Sequence, residues 1–174
     1  MLFRKVNVLQ MCYVLLAGAL VWFAVPYCVN NRIIFINVSP SLPRGLYMAI
    51  PGDTYRVGDI VAYTPTPDVT AFCLEREYME KEETFVKEIG AMPNTLYRIG
   101  KDLTFTINGK PAGVVIPTDA KNRDMPIKIG YHRVPEGEFL PYTQAQRSLD
   151  GRYTGTVPIS NIKTRVIPIL TEWK

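Results

Sequence analysis

The stretch Asn37–Tyr47, N-V-S-P-S-L-P-R-G-L-Y, is the most informative part of the chain. Its two serines, Ser39 and Ser41, stand two positions apart, and Pro40 and Pro43 follow them closely. Proline fixes its own φ and disfavours a helical conformation for the residue before it, so neither serine is expected inside a helix. The stretch predicts a stiff loop that presents serine hydroxyls. A plain Pro/Ser loop leaving a membrane has the same composition, so a catalytic interpretation needs support from elsewhere in the chain.

An apolar segment, Val8–Val29, precedes this loop, and Gln10 is the one strongly polar residue in it. About 20 apolar residues are enough for a helix to cross the hydrocarbon core of a bilayer. A cleaved signal peptide is the competing interpretation, because the A-G-A sequence at 17–19 resembles a cleavage site. The apolar run continues beyond that point through Trp22 and Phe23, aromatic residues that suit the membrane interface. We therefore expect an uncleaved transmembrane anchor.

The charges around the anchor predict its orientation. Arg4 and Lys5 precede the apolar segment, and positive residues next to a span favour the cytoplasmic side. We expect a cytoplasmic N-terminus over residues 1–7, a transmembrane anchor over 8–29, and one domain over 30–174 on the far side of the membrane.

Composition limits the function classes. The chain has 174 residues, the length of one domain plus an appendage, with 14 prolines and 12 glycines dispersed along it, as in a β-rich fold with many turns. The formal charge of +4 is mild, and the basic residues are not clustered with aromatics. The sequence therefore gives little support to nucleic-acid binding.

Cysteine and histidine usage gives no indication of a metal site. Cys12, Cys28 and Cys73 form neither a C-x-x-C pair nor a zinc spacing, and His132 is the one histidine. A disulfide between Cys28 and Cys73 remains open in an oxidising compartment. We expect no metal and no organic cofactor.

Most of the chain after the loop is expected to form strands. Leu46–Ile50 and Asp59–Tyr63 are apolar runs separated by Pro-Gly-Asp and Val-Gly-Asp turns, and Val166–Leu170 is a predicted closing strand. Asn108-Gly109 between alternating residues predicts a tight hairpin. Thr70–Glu83 is the segment expected to form an amphipathic helix.

Lys87 lies in F-V-K-E-I-G, between apolar neighbours of a predicted strand. Alternate strand residues face the same side, so Phe85, Lys87 and Ile89 share one face. If that face is the core, desolvation lowers the pKa of the lysine, and a neutral amine can act as general base towards a serine hydroxyl. The alternative is a lysine on an edge strand, with its ammonium in water and paired with Glu88 or another acidic residue.

Three blocks together resemble a known family. They are N-x-S-x-S-x-P-x-G-L-Y from Asn37, F-V-K-x-I-G-x-x-P-N from Phe85, and S-x-D-x-R-Y-x-G-x-V-P from Ser148. Their order and spacing resemble the type I signal peptidase superfamily of serine–lysine proteases, family S26, and most closely its TraF-type conjugative-transfer branch. The resemblance covers nearly the whole chain. It implies a mainly β domain with a coiled β-sheet and one N-terminal transmembrane helix.

The resemblance also implies roles for individual residues. Ser41, with proline two positions on, matches the nucleophile, and Lys87 matches its general base. Ser39 matches the position whose hydroxyl, together with the Ser41 N–H, forms the oxyanion hole. Each such donor contributes on the order of 3 kcal/mol to lowering the barrier.

The third block implies support for the lysine. Ser148 and Asp150 match the residues that orient it, and in TraF-type enzymes this aspartate is implicated in catalysis. Arg152 is expected to pair with Asp150. The chain departs from the family in two places: residues 139–146 replace a G-D-N-R stretch, and Gly151 replaces the serine of a D-S-R core.

The resemblance implies a serine endopeptidase in the inner (cytoplasmic) membrane, with its catalytic domain in the periplasm. The implied substrate is an exported precursor, most closely a conjugative pilin, whose own N-terminus can resolve the acyl-enzyme to give a cyclic product. The implied partners are this protein substrate, membrane lipid and other transfer-system components. Two alternatives stay open. One is a general leader peptidase that cleaves many precursors after small residues, and the other is a non-catalytic anchored assembly factor.

Overall fold

The computed structural model describes residues 8–31 and 33–172 of the chain. Arg4 and Lys5, on which the predicted membrane orientation rests, lie outside the described residues.

The N-terminal helix α1 runs over Val8–Asn30, and its Gln10–Cys28 portion is long and apolar enough to cross a membrane. None of that portion is buried against the rest of the protein, and Trp22 is 77% exposed. An apolar surface of this kind is stable where lipid covers it.

Beyond α1 the described residues form two further α-helices, one short 3-10 helix and eleven strands. The strands are β1 (Ile34–Asn37), β2 (Gly45–Ile50), β3 (Ile60–Tyr63), β4 (Phe85–Ala91), β5 (Leu96–Ile99), β6 (Thr104–Ile107), β7 (Lys110–Val114), β8 (Gly130–Arg133), β9 (Glu138–Tyr142), β10 (Val157–Pro158) and β11 (Ile162–Thr171). The helices are α2 (Pro67–Glu75), α3 (Gly151–Thr154) and the 3-10 helix Ile159–Asn161. The predicted mainly β domain with one N-terminal apolar helix is confirmed.

Two antiparallel sheets carry the domain. The larger has seven strands in the order β1-β2-β11-β3-β4-β9-β10, and the smaller has four in the order β7-β6-β5-β8. β4 pairs with β3 through Val61 opposite Lys87 and with β9 through Ile89 opposite Pro141. The strand that carries Lys87 is therefore interior to the sheet, and the edge-strand alternative is wrong.

The predicted helix at Thr70–Glu83 is misplaced. Helix α2 begins earlier, at Pro67, because proline is tolerated in the first turn, where its missing N–H would have no helical partner. It ends at Glu75, and Glu77 adopts a positive φ of 58°, which takes the chain out of the helical conformation. The rest of the predicted helix forms an irregular segment that leads into β4.

The predicted hairpin and the predicted closing strand are both present in the structure. The Asn108-Gly109 hairpin is confirmed: both residues have positive φ, 50° and 72°, and they join β6 to β7 with Ile107 opposite Lys110. The closing strand β11 begins four residues before the predicted Val166–Leu170 and ends one residue after it, because it pairs with β3 as well as with β2.

The largest buried cluster connects the two sheets. Phe105 and Ile99 from the smaller sheet pack with Leu140 of β9 and with Tyr153 of α3. A second cluster, centred on Val61, Tyr63, Ile89, Phe139 and Val157, fills the other side of the larger sheet. The strands on both sides of β4 therefore pack against buried apolar clusters.

Candidate active site

The serine loop, residues 38–44, connects β1 to β2, and Asn37 pairs with Gly45 where the two strands meet. The Oγ atoms of Ser39 and Ser41 are 2.7 Å apart and share a hydrogen bond. Gly45 has a φ of +142°, and a Cβ there would lie 2.0 Å from the carbonyl oxygen of Leu170. Glycine is therefore required at the point where the loop returns to the sheet.

Lys87 is buried, with 6% of its surface exposed, and its Nζ donates a hydrogen bond to Ser148 Oγ at 2.9 Å. Burial lowers the pKa of Lys87 to about 8, because the ammonium loses its water, while the charge of Asp150 partly opposes this and that of Arg152 adds to it. Near neutral pH, Lys87 is then a neutral amine in a useful fraction of the protein molecules. The predicted core-facing position of Phe85, Lys87 and Ile89 on β4 agrees with the alternating burial of this strand.

Asp150 and Arg152 form a buried ion pair, as predicted. Arg152 Nε donates to Asp150 Oδ1 and Arg152 Nη2 donates to Oδ2, both at 2.9 Å. The backbone N–H groups of Thr143 and Arg152 donate to the same carboxylate at 3.1 and 3.2 Å. Among residues 8–31 and 33–172, Lys87 Nζ donates to Ser148 and no hydrogen bond from it to Asp150 occurs, so the carboxylate influences the lysine through its charge.

Arg152 also connects the third block to neighbouring backbone. Its Nη2 donates to the carbonyl oxygens of Ala145 and Thr143 at 2.5 and 3.3 Å, and its Nη1 donates to that of Val114 at 3.3 Å. The segment before Ser148 is thus fixed by the same guanidinium that neutralises Asp150. This places Ser148 where it can hold the lysine amine.

One cavity of about 410 Å³ brings these groups together. Ser39, Ser41, Lys87 and Ser148 all line it, whereas Asp150 and Arg152 lie behind its wall. The rest of its lining comes from the end of β1 and the serine loop, from α2 and the chain through the start of β4, from the 116–125 region, and from the third block with its neighbours: Ile36, Asn37, Val38, Pro40, Cys73, Tyr78, Met79, Glu83, Thr84, Phe85, Val86, Ile116, Thr118, Asp119, Ala120, Met125, Arg147, Leu149 and Tyr153.

No role was predicted for Tyr78 and Asp119, which also line this cavity. Tyr78, which follows α2, donates from its hydroxyl to Asp119 Oδ2 at 2.7 Å, and Arg123 Nε donates to the same oxygen at 2.7 Å. Asp119 Oδ1 also accepts from the backbone N–H of Lys121 and Arg123, which forms a local turn. The Asp119-x-x-Asn122 sequence could have predicted the turn. It could not have predicted the pairing of Asp119 with Tyr78, because these residues are 41 positions apart.

Among the described residues, no group of three His, Cys, Asp or Glu side chains is arranged to hold a metal ion. The thiols of Cys28 and Cys73 are both free in the structure. His132 lies on β8, with Nε2 2.8 Å from the Lys128 carbonyl oxygen and its ring stacked on Tyr97. Its position in the second sheet, outside the cavity lining, keeps it apart from the serine loop.

Comparison with known proteins decides the family. The model of a protein family described as signal peptidase, peptidase S26, matches residues 6–171. The chain belongs to this family. Signal peptidase I from Enterococcus faecalis V583 is a similar solved structure at 19% identity, with 64% of this chain and 96% of that chain covered and a TM-score of 0.38. A comparison with curated proteins gave no match.

As an S26 signal peptidase, the protein is a serine peptidase that processes exported protein precursors. The family, together with the apolar helix α1, indicates a membrane-anchored protein. The matched range, residues 6–171, includes the serine loop, the lysine strand and the third block. The match does not distinguish the TraF-type branch, which stays a prediction.

Proposed function

We propose that this signal peptidase is a membrane-anchored serine endopeptidase in which Ser41 is the nucleophile and Lys87 is its general base. The observation that carries the proposal is that a buried lysine with a pKa lowered to about 8 lines the same cavity as Ser41. A lysine in this state can accept a proton, which an ordinary surface lysine at neutral pH cannot. The hydrogen bond to Ser148 gives that amine a defined direction.

The proposed reaction has two stages. Neutral Lys87 takes the Ser41 proton as Oγ attacks the scissile carbonyl, and the Ser39 hydroxyl with the Ser41 N–H stabilises the oxyanion. Lys87 then gives its proton to the leaving amine as the peptide bond breaks. Water, or another amine, attacks the acyl-enzyme and regenerates Ser41. The 2.7 Å distance between the Oγ atoms of Ser39 and Ser41 supports the role of the Ser39 hydroxyl in the oxyanion hole, because it places a donor beside the attacking atom.

Ser148, Asp150 and Arg152 are proposed to act on the lysine and not on the substrate. Ser148 touches Nζ directly, while the Asp150 carboxylate is occupied by Arg152 and Thr143. In this proposal the negative charge of Asp150 moderates the lowering of the lysine pKa and neutralises Arg152. A direct catalytic role for Asp150 stays a prediction.

We further propose the TraF-type role that the sequence blocks imply. Residues 8–29 would form the inner-membrane anchor, residues 1–7 would be cytoplasmic, and residues 30–174 would form the periplasmic catalytic domain. The substrate would be a conjugative pilin precursor, trimmed and then cyclised by attack of its own N-terminus on the acyl-enzyme. The first block, with its serine pair and Gly45 return, supports this finer assignment through its similarity to that branch.

Mass spectrometry of the candidate pilin tests the proposal in cells that carry the wild-type protein, Ser41→Ala, or the exposed-serine control Ser160→Ala. We expect trimmed pilin with the wild type and the control but not with Ser41→Ala. A further loss of one water would identify cyclisation. Equal processing of a generic precursor with an A-x-A site would instead favour a general leader peptidase. Identical pilin masses and normal pilus assembly in all strains would favour a non-catalytic assembly factor.

Lys87→Arg tests the base separately. Arginine keeps the positive charge but does not deprotonate in proteins, so we expect no turnover by purified Lys87→Arg protein. Appreciable cleavage by this variant would refute the lysine-base assignment while leaving Ser41 as nucleophile.

A further inference from the structure

The serine loop is short of internal hydrogen-bond donors. Pro40 and Pro43 have no N–H group, so the loop cannot satisfy its own carbonyl oxygens through regular backbone pairing. Asn37, the last residue of β1, is buried, with 7% of its surface exposed. A buried amide of this kind needs partners for both its oxygen and its nitrogen.

The Asn37 side chain finds all its partners inside the loop. Its Nδ2 lies 3.1 Å from the carbonyl oxygens of Ser39 and Leu42 and 3.2 Å from that of Pro43, so two hydrogens are shared among three acceptors. Its Oδ1 accepts from the backbone N–H of Ser39 at 3.2 Å. One side chain therefore joins both ends of the turn that contains Ser41.

Tyr47 fastens the same turn to the sheet. Its ring is fully buried against Ala62 and Val166, and its hydroxyl donates to the Pro43 carbonyl oxygen at 2.7 Å. The Pro43 carbonyl thus accepts from Tyr47 and from Asn37. The position of the loop relative to the sheet is set by these two side chains and by the glycine return at residue 45.

We propose that Asn37 is a positioning residue that, with Tyr47, sets the geometry of the two serine hydroxyls. This inference rests on the proposed function, because it assigns Asn37 an effect on catalysis by Ser39 and Ser41. Asn37 acts through the loop backbone: it fixes the Ser39 peptide on both sides and holds the Leu42 and Pro43 carbonyls. Without the Asn37 amide, the carbonyl oxygens on both sides of Ser41 lose their side-chain donor, and the oxyanion-binding groups move from their positions.

Purified full-length protein in detergent, assayed on a precursor peptide, tests the proposal. For Asn37→Ala we expect kcat to fall on the order of 100-fold with KM changed by less than about threefold, as for other losses of oriented groups. For Tyr47→Phe, which keeps the buried ring, we expect a loss of about tenfold, the effect of one hydrogen bond. Asn161→Ala is the matched control, since Asn161 Nδ2 also donates to a backbone carbonyl, that of Thr64, outside the cavity. Its kcat should equal that of the wild type.

A general loss of stability is distinguished by a double-variant comparison. If Asn37 sets the geometry in which the Ser39 and Ser41 hydroxyls share a hydrogen bond, then Asn37→Ala in a Ser39→Ala background, where that bond is already lost, should reduce kcat by much less than 100-fold. If the double variant loses the product of the two single-variant losses in kcat, the proposal is overturned. It is also overturned if Asn37→Ala has the wild-type kcat while Ser41→Ala is inactive. The latter result would leave the proposed function standing.

Hydrogen exchange of the serine loop gives a readout that needs no turnover. The Ser39 amide should exchange at least about tenfold faster in Asn37→Ala than in wild type, because its acceptor is removed, and should be unchanged in Asn161→Ala. If no protein cleaves any precursor, the proposed function fails. In that case faster loop exchange still supports the ordering role of Asn37, and unchanged exchange refutes it.

Discussion

Lys87 Nζ donates a hydrogen bond to Ser148 Oγ, 61 positions further along the chain, and both residues are buried. A serine hydroxyl is a neutral partner, so it orients the amine without the strong stabilisation of its charged form that a paired carboxylate would give. The nearby carboxylate, Asp150, is already bonded to Arg152. Because Lys87 bonds to a neutral hydroxyl and Asp150 is paired with Arg152, the effect of burial exceeds that of the Asp150 charge, and the pKa of Lys87 falls to about 8.

The first prediction concerns the pH dependence of activity. Below its pKa Lys87 is an ammonium and cannot accept the Ser41 proton, so kcat/KM should rise with increasing pH and level off above about 8. The measurement is the pH profile of precursor cleavage, from about two units below that value to about two units above it. A flat profile across this range would contradict the role of Lys87 as base.

The second prediction concerns stability. The folded-state pKa of Lys87, about 8, lies below its ordinary value of 10.5, so the unfolded chain holds this proton more tightly. The free energy of unfolding therefore rises as pH increases from about 8 to about 10.5, and at neutral pH the charged lysine destabilises the fold by up to about 3 kcal/mol. Lys87→Met should be inactive and more stable by an amount of that order.

Chemical denaturation at neutral pH measures this effect. The exposed Lys110 provides the control, since Lys110→Met removes the same charge without relieving burial. It should change the unfolding free energy by less than about 0.5 kcal/mol. Equal effects at the two positions would show that burial of Lys87 carries no such penalty.

The third prediction concerns the buried ion pair. Asp150→Asn leaves the Arg152 guanidinium, itself 2% exposed, without its counter-charge. Removing one partner of a buried pair costs about 3–5 kcal/mol, so thermal unfolding should occur at a clearly lower temperature. Asp59→Asn is the comparison, because Asp59 pairs with Arg165 at 3.7 Å in a partly exposed position and should lose less than about 1 kcal/mol. Similar losses from both variants would contradict this account.

The fourth prediction concerns Gly151, where this chain departs from the D-S-R sequence of related enzymes. A Cβ at this position would lie 2.4 Å from Leu140 Cδ1 and 2.7 Å from the Pro141 carbonyl oxygen. Strand β9 therefore passes too close for a side chain. Gly151→Ser, although it restores the family residue, should destabilise the protein by about 1–3 kcal/mol through overpacking. Unfolding by denaturant measures this, and a variant as stable as wild type would show that β9 moves freely.

Features with local causes could be predicted from the sequence. The apolar length of α1, the two prolines and glycine of the serine loop, and the Asn-Gly turn each act within a few residues. The alternation around Lys87 correctly placed its side chain with Phe85 and Ile89. Even the helix error at Thr70–Glu83 was one of boundaries, because Pro67 and the positive φ of Glu77 shifted both ends.

The tertiary structure alone decided the state of the site. Whether Lys87 was buried depended on β4 lying between β3 and β9, and its hydrogen bond to Ser148 depended on the Arg152 contacts that fix the preceding segment. Likewise, the hydrogen bond between Tyr78 and Asp119 in the cavity lining joins residues 41 positions apart. Burial and hydrogen bonding between distant residues depend on how the sheets pack, and no local pattern of residues encodes that packing.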